Sequence, residues 1–183
     1  MSRETLFRTL AQLTIAISIC EEKRLQLPTL MLIYAGIDIC GWLASGTAET
    51  TSPTAFTSWV EHYLLPAKPL PCTSMDLYAA RCGLLHTYTP ESRLSDQGAA
   101  KRLAYAWGNA KVEDLEKAIT KQGRSDLVAV HASDLLEAFR LGLASFVQDL
   151  DANPALAASF DARAKKSFAA VSVSVMNDYL DEV

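Results

Sequence analysis

The stretch TLMLIYAGIDICGWLA limits what this chain can fold into more than any other. From Leu30 to Ala44 it runs 15 residues with a single charge, Asp38, at its centre. A helix needs roughly 18 to 20 apolar residues to span a bilayer, so the run falls short of a span. A helix that is apolar all round must be covered on every side in a bundle. The sequence therefore predicts a central helix, with further helices packed around it.

The flanking segments supply those helices. The first helix is expected from Thr5 to about Leu25, because Leu6, Leu10, Leu13, Ile17 and either Ile19 or Cys20 fall on one stripe. Pro28 suits the first turn of the second helix, which should run to about Ser45. SGTAETTS reads as a polar linker. A third helix should start with Ser52 as cap and Pro53 just inside it, with Phe56, Trp59, Val60 and Tyr63 on one side. PAKPLP, from Pro66 to Pro71, should not be helical. The fourth helix is expected to open on a capping box, Thr73 and Asp76, and to end near His86 or Thr87. TYTPESRLSDQG reads as loop.

After Gly98 the texture changes. KRLAYAW and DLVAVH have strand character and could pair in a small sheet, although the alanines of the first also suit a helix. Between them VEDLEKAITKQG reads as a helix with a glycine stop. A long helix from Ser133 to Leu150 and a shorter one from Pro154 follow, and VSVSVM could be a third strand or a frayed end. The expected class is mainly α with a possible small β element. The chain reads as a single domain, with a helical core over residues 1–95 and a C-terminal elaboration over 98–183.

Composition narrows the setting. Half of the 183 residues are apolar and 21% are charged, which suits a globular chain. Cys20, Cys40, Cys72 and Cys82 show no paired spacing and read as reduced thiols. The N-terminal MSRETLFRTL lacks the pattern of a signal peptide, and a cytoplasmic protein away from membranes is expected. The net charge of −4 argues weakly against a nucleic-acid partner. It is unevenly spread: Leu77 to Lys111 carries five basic residues against two acidic ones, a local +3 that leaves −7 for the rest. Arg93, Lys101 and Arg102 of that segment are candidate phosphate contacts, or members of a solvated face.

Within the fourth helix, ARCGLLHTY carries Arg81 and His86 among Ala, Cys, Gly and Leu. On a regular helix residues five apart are separated by about 140°, so the two share a face only if the helix loosens or a groove lies between them. Gly83 and the nearby helix end make loosening plausible. The pair suits phosphodiester chemistry. Imidazole exchanges protons near neutrality, and the guanidinium fork binds phosphate oxygens and offsets charge in the transition state. An internal ion pair for Arg81 and a helix-end role for His86 are the plainer alternatives. Asp38 is the best acidic partner for Arg81, with Tyr34 one turn before it. Asp76 reads as a helix-start residue.

R81-C-G-L-L-H86-T-Y88 resembles the RxxxxH motif of the HEPN superfamily, in the RxxxxHxY form of HEPN toxins. DLYAARCGLLHTYTPES is similar to a plasmid- and bacterium-borne HEPN subfamily. The likeness is sharp over Asp76 to Pro90, looser over the preceding helices and weak after Gly98. It implies a HEPN-like helical bundle and a homodimer with a composite cleft. It also implies metal-independent RNA cleavage without a cofactor, in a toxin or defence setting. By that resemblance Arg81 would hold the scissile phosphate, His86 would be general acid or base, and Tyr88 would be the tyrosine that a nucleotidyltransferase antitoxin modifies. Cys82 departs from the family, which often has a polar residue after the arginine. A non-catalytic module that binds RNA or a nucleotide, or acts as a scaffold, is the alternative.

Other chemistry finds less support. Cys82 and His86 share a helix face, but no further ligands or base complete a metal or thiol site, and His62 and Cys72 sit at no recognised spacing. GIDICG lacks the lysine and preceding strand of a phosphate loop. Trp42, Trp59 and Trp107 with Tyr105 could stack bases or fill core, and His131 could line a pocket.

Overall fold

The computed structural model describes residues 3–46 and 51–166. The protein is mainly helical with one small parallel sheet. Helix α1 spans Arg3–Glu22 and α2 spans Gln26–Ala44. At 19 residues α2 is long and apolar enough to cross a membrane, yet here it is the element on which α1, α3 (Ser52–Trp59), α8 (Ala132–Ala152) and α9 (Pro154–Ala164) pack. Its Leu30, Ile33, Tyr34, Ile37, Cys40 and Leu43 are almost fully buried. Only about half of the helix is buried in this way, and Leu27 and Ile39 remain exposed, so the covering on every side that the apolar run predicts is incomplete.

Pro53 lies in the first turn of α3 and Pro154 in the first turn of α9, where a missing N–H costs nothing. The cap of α3 is Thr51, one residue before the expected Ser52. The helix then widens into a π-helical segment, Val60–Leu64, and closes on a short turn, Leu65–Ala67 (α4). Proline explains the widening. Pro66 has no N–H for the carbonyl of His62, and its ring crowds that carbonyl. The chain responds one residue early, with the Leu65 N–H donating to the Val60 carbonyl five residues back. Helix thus persists to Ala67, slightly into the segment from Pro66 to Pro71 that reads as non-helical.

The capping box opens α5, Ser74–Cys82. The Asp76 N–H donates to Thr73 Oγ1 at 3.1 Å, and the Thr73 N–H to Asp76 Oδ2 at 2.9 Å. A second π segment, Gly83–Thr87, continues it. The stretch that follows is not all loop, since Arg93–Asp96 forms the short α6 with its own Ser92–Ser95 capping box.

Strands β1 (Arg102–Ala106) and β2 (Leu127–His131) pair in parallel, Arg102 opposite Leu127 and Ala106 opposite His131. The crossover is α7, Val112–Lys121, and Gly123 at φ 66° supplies the left-handed stop. Only a crossover of this length lets two strands run parallel. VSVSVM lies outside the described residues. All four cysteines are free, and burial pushes the Cys40 and Cys72 thiols up to about 12.

Candidate functional site

The motif helix loosens where the spacing required it. In the second π segment the Tyr88 N–H donates to the Gly83 carbonyl, a five-residue bond in place of the four-residue one. The same carbonyl also accepts from the Thr89 N–H at 3.2 Å and from Thr87 Oγ1 at 2.8 Å. Gly83 is needed for a second reason. A Cβ there would stand 2.5 Å from the Glu91 carbonyl oxygen and 2.6 Å from that of Thr89, so the returning loop packs directly on glycine backbone. Tyr88 then ends the helix in the left-handed region at φ 59°, a conformation rare for a bulky residue.

The wide turn brings His86 back over Arg81. Arg81 Nη1 donates to His86 Nε2 at 2.9 Å, and Arg81 Nε donates to Asp38 Oδ2 at 2.6 Å. A guanidinium has only donors, so Nε2 is the acceptor and in this arrangement the ring proton sits on Nδ1. The three side chains form a row from α2 to the end of the motif helix. Asp38 and Arg81 are mostly covered, at 22% and 15% side-chain exposure, whereas His86 is exposed. The row therefore has a sheltered, charged base and an accessible imidazole tip.

Its electrostatics are set by shelter. Burial raises the Asp38 carboxyl above its ordinary value, outweighing the lowering by Arg81 and His86. Burial also works to lower Arg81, but the Asp38 hydrogen bond and charge more than offset it. The two shifts pull opposite ways on the pair. A 2.6 Å contact to a permanently charged guanidinium is the geometry of an ionised carboxylate, and the pair is read as such. Arg81 uses Nε and Nη1 in these contacts, and no hydrogen bond from Nη2 is made among the described residues. Cys82 Sγ lies 3.9 Å from Nη1, and the guanidinium carbon lies 5.8 Å from the centre of the Tyr78 ring. A cleft of about 150 Å³ near the end of the motif helix is lined by Leu27, Leu84, Tyr88, Pro90, Leu103 and Tyr105, and none of the three row residues lines it.

Tyr34 does not join the row. It is fully buried and its hydroxyl meets that of Tyr105, so a residue from the C-terminal half draws it into the core. Burial raises its pKa well above the ordinary phenol value. The basic segment is also smaller than its count. Arg102 reaches Asp96 at 3.0 Å, Asp126 at 3.3 Å and Glu91 at 3.6 Å, so three exposed carboxylates already hold its guanidinium. Arg93 and Lys101 are exposed. Asp76 does more than start a helix, because its Oδ1 also accepts from the Lys101 N–H at 2.6 Å.

Of the aromatic candidates, Trp59 is core and Trp42 lies under the Arg163 guanidinium, 4.9 Å from its ring centre. Trp107 and His131 line one cavity together. Sequence reasoning had no means of seeing that Tyr105 pairs with Tyr34, since the contact spans 71 residues. Compared with family models, with curated proteins and with solved structures, the chain matches none.

Proposed function

We propose that the chain is a metal-independent endoribonuclease of the HEPN type, acting as a toxin or defence component. The observation that carries this reading is the row itself: an accessible imidazole held 2.9 Å from a guanidinium that is oriented from behind by a carboxylate. A phosphate arriving at the fork takes up the Nη2 donors and competes for Nη1. That releases the Nε2 lone pair of His86 for the 2′-hydroxyl. The 2′-oxygen forms a bond to phosphorus, the bond to the 5′-oxygen breaks, and the proton taken by His86 is returned to that leaving oxygen. The products are a 2′,3′-cyclic phosphate and a 5′-hydroxyl. Arg81 offsets the charge gathered on the phosphate oxygens, and Asp38 keeps the fork in plane. As the resemblance implies, two copies would meet at this surface and line one cleft with two rows.

The second reading, a module that binds RNA or a nucleotide without cleaving it, is favoured by Cys82. A thiol stands where a polar group would help orient the site, at 3.9 Å from Nη1. Incubation with RNA in excess chelator separates the two. The nuclease predicts 2′,3′-cyclic ends from the wild type, and a loss of about 10²-fold or more in both Arg81→Ala and His86→Ala. Cleavage that survives both substitutions removes the assignment. Binding that needs Arg81, with no cleavage by the wild type, selects the module.

A further inference from the structure

We propose that a second site, at the carboxyl ends of the two parallel strands, binds a nucleoside monophosphate. It is separate from the Asp38–Arg81–His86 row and does not depend on how that row acts. A cavity of about 480 Å³ lies between the turn from α1 to α2 and the edge of the sheet, lined by Glu21, Arg24, Trp107, Asn109, His131 and Ser133 among others. Trp107 directly follows β1 and His131 ends β2. Because the strands are parallel with Ala106 opposite His131, the two aromatic rings arise at the same edge. Ligands of parallel sheets gather at that edge, and a cavity of this size suits a small molecule rather than a peptide.

Each lining group fits one part of a nucleotide. Trp107 is half-buried and offers a face on which any base can stack. His131 Nδ1 accepts from the Ser133 N–H at 3.2 Å and from Ser133 Oγ at 2.6 Å. With Nδ1 occupied as an acceptor, Nε2 carries the ring N–H and is a donor for a phosphate oxygen. Arg24 supplies the guanidinium. Glu21 offers carboxylate acceptors for ribose hydroxyls.

Arg24 is also the most unexpected residue of the turn. It sits in the left-handed region at φ 56°, with its N–H on the Glu21 carbonyl at 2.9 Å and the Leu25 N–H on that of Cys20 at 2.8 Å. These bonds form a Schellman cap, whose left-handed position glycine fills at least cost. A bulky residue kept there at a cost in strain points to use of its side chain. Charge then sets the length of the ligand. With Glu21 and Glu22 beside one guanidinium the cavity is net negative, so each added phosphate is repelled further and a monophosphate is favoured over a polyphosphate.

The test is calorimetric titration of the full chain with the four ribonucleoside 5′-monophosphates, the matching nucleosides and ATP. At least one monophosphate should bind with a Kd below about 1 mM and at least about tenfold tighter than its nucleoside or than ATP. Arg24→Gly places the favoured residue in the cap, so its Tm should rise while monophosphate affinity falls about tenfold. Trp107→Phe should keep part of the affinity and Trp107→Ala lose most of it. The proposal is overturned if no monophosphate binds below about 1 mM, if nucleoside or ATP binds as well, or if Arg24→Gly leaves affinity unchanged.

Discussion

Two π segments, each carrying a histidine, sit in this fold and serve different ends. In Val60–Leu64 the wide turn faces inward. Val60 and Leu64 are fully buried, and the backbone of α8 comes in so closely at Gly142 that a Cβ there would lie 3.0 Å from the Leu64 Cα. His62 only folds back on its own helix, its Nδ1 2.7 Å from the Ser58 carbonyl. In Gly83–Thr87 the same widening faces outward and sets His86 on Arg81. The cause differs as well: a proline forces the first, while a returning loop laid on glycine holds the second. One backbone irregularity can therefore be a packing adjustment or a way of aligning residues five apart, and only the surroundings tell which.

The largest separation between the two should appear in activity. His86→Ala is expected to lower RNA cleavage by about 10²- to 10⁴-fold, with His62→Ala at wild-type rate, in a gel assay of product ends. Equal losses would mean that the segments do not differ as described.

Stability should separate them next. Gly83→Ala drives a methyl into two backbone carbonyls that have no side-chain freedom to yield, and should cost about 3 kcal/mol in urea melts as well as activity. Gly142→Ala meets a looser contact and should cost about 1 kcal/mol with activity kept.

Asp38 tests what stands behind the outward segment. Asp38→Ala strands a mostly buried guanidinium and should cost about 2 kcal/mol, scaled down from a fully buried pair for the partial exposure. Its pH dependence has a defined sign. The folded carboxyl is raised above its unfolded value by burial, so its favourable contribution is complete in acid below the unfolded value and is lost as pH rises through the raised one. Wild type measured against Asp38→Asn should therefore lose relative stability between acid and neutral pH. A relative gain would reverse the balance of burial and pairing argued above.

The smallest effect belongs to the inward segment. Tyr63→Phe removes the 2.7 Å bond from its hydroxyl to Asp149 Oδ2 and should cost about 1 kcal/mol with no change in cleavage.

Much of this is legible in the residues. The central helix follows from an apolar run that must be covered, and the Thr73–Asp76 box states where the motif helix begins. The link from Asp38 to Arg81 follows from two charges that each lack any other nearby answer. The π segments were not legible in detail. Helical period is an average, and a wide turn depends on what the loop beyond it does. Two partners lay beyond helical spacing: Tyr34 meets Tyr105, 71 residues away on β1, and Arg102 is held by Asp96 from the short α6 and by Asp126 just before β2.

Asp76 has a reach beyond its helix. One oxygen caps the helix that carries Arg81, and the other holds the Lys101 N–H at the threshold of the sheet. This carboxylate joins the Tyr34–Tyr105 contact and the shared core of Leu103 and Val130 in coupling the bundle to the βαβ unit, so the two should melt as one cooperative block. Amides of the strands and of the motif helix should then lose protection from hydrogen exchange together, and Asp76→Ala should lower the protection of both.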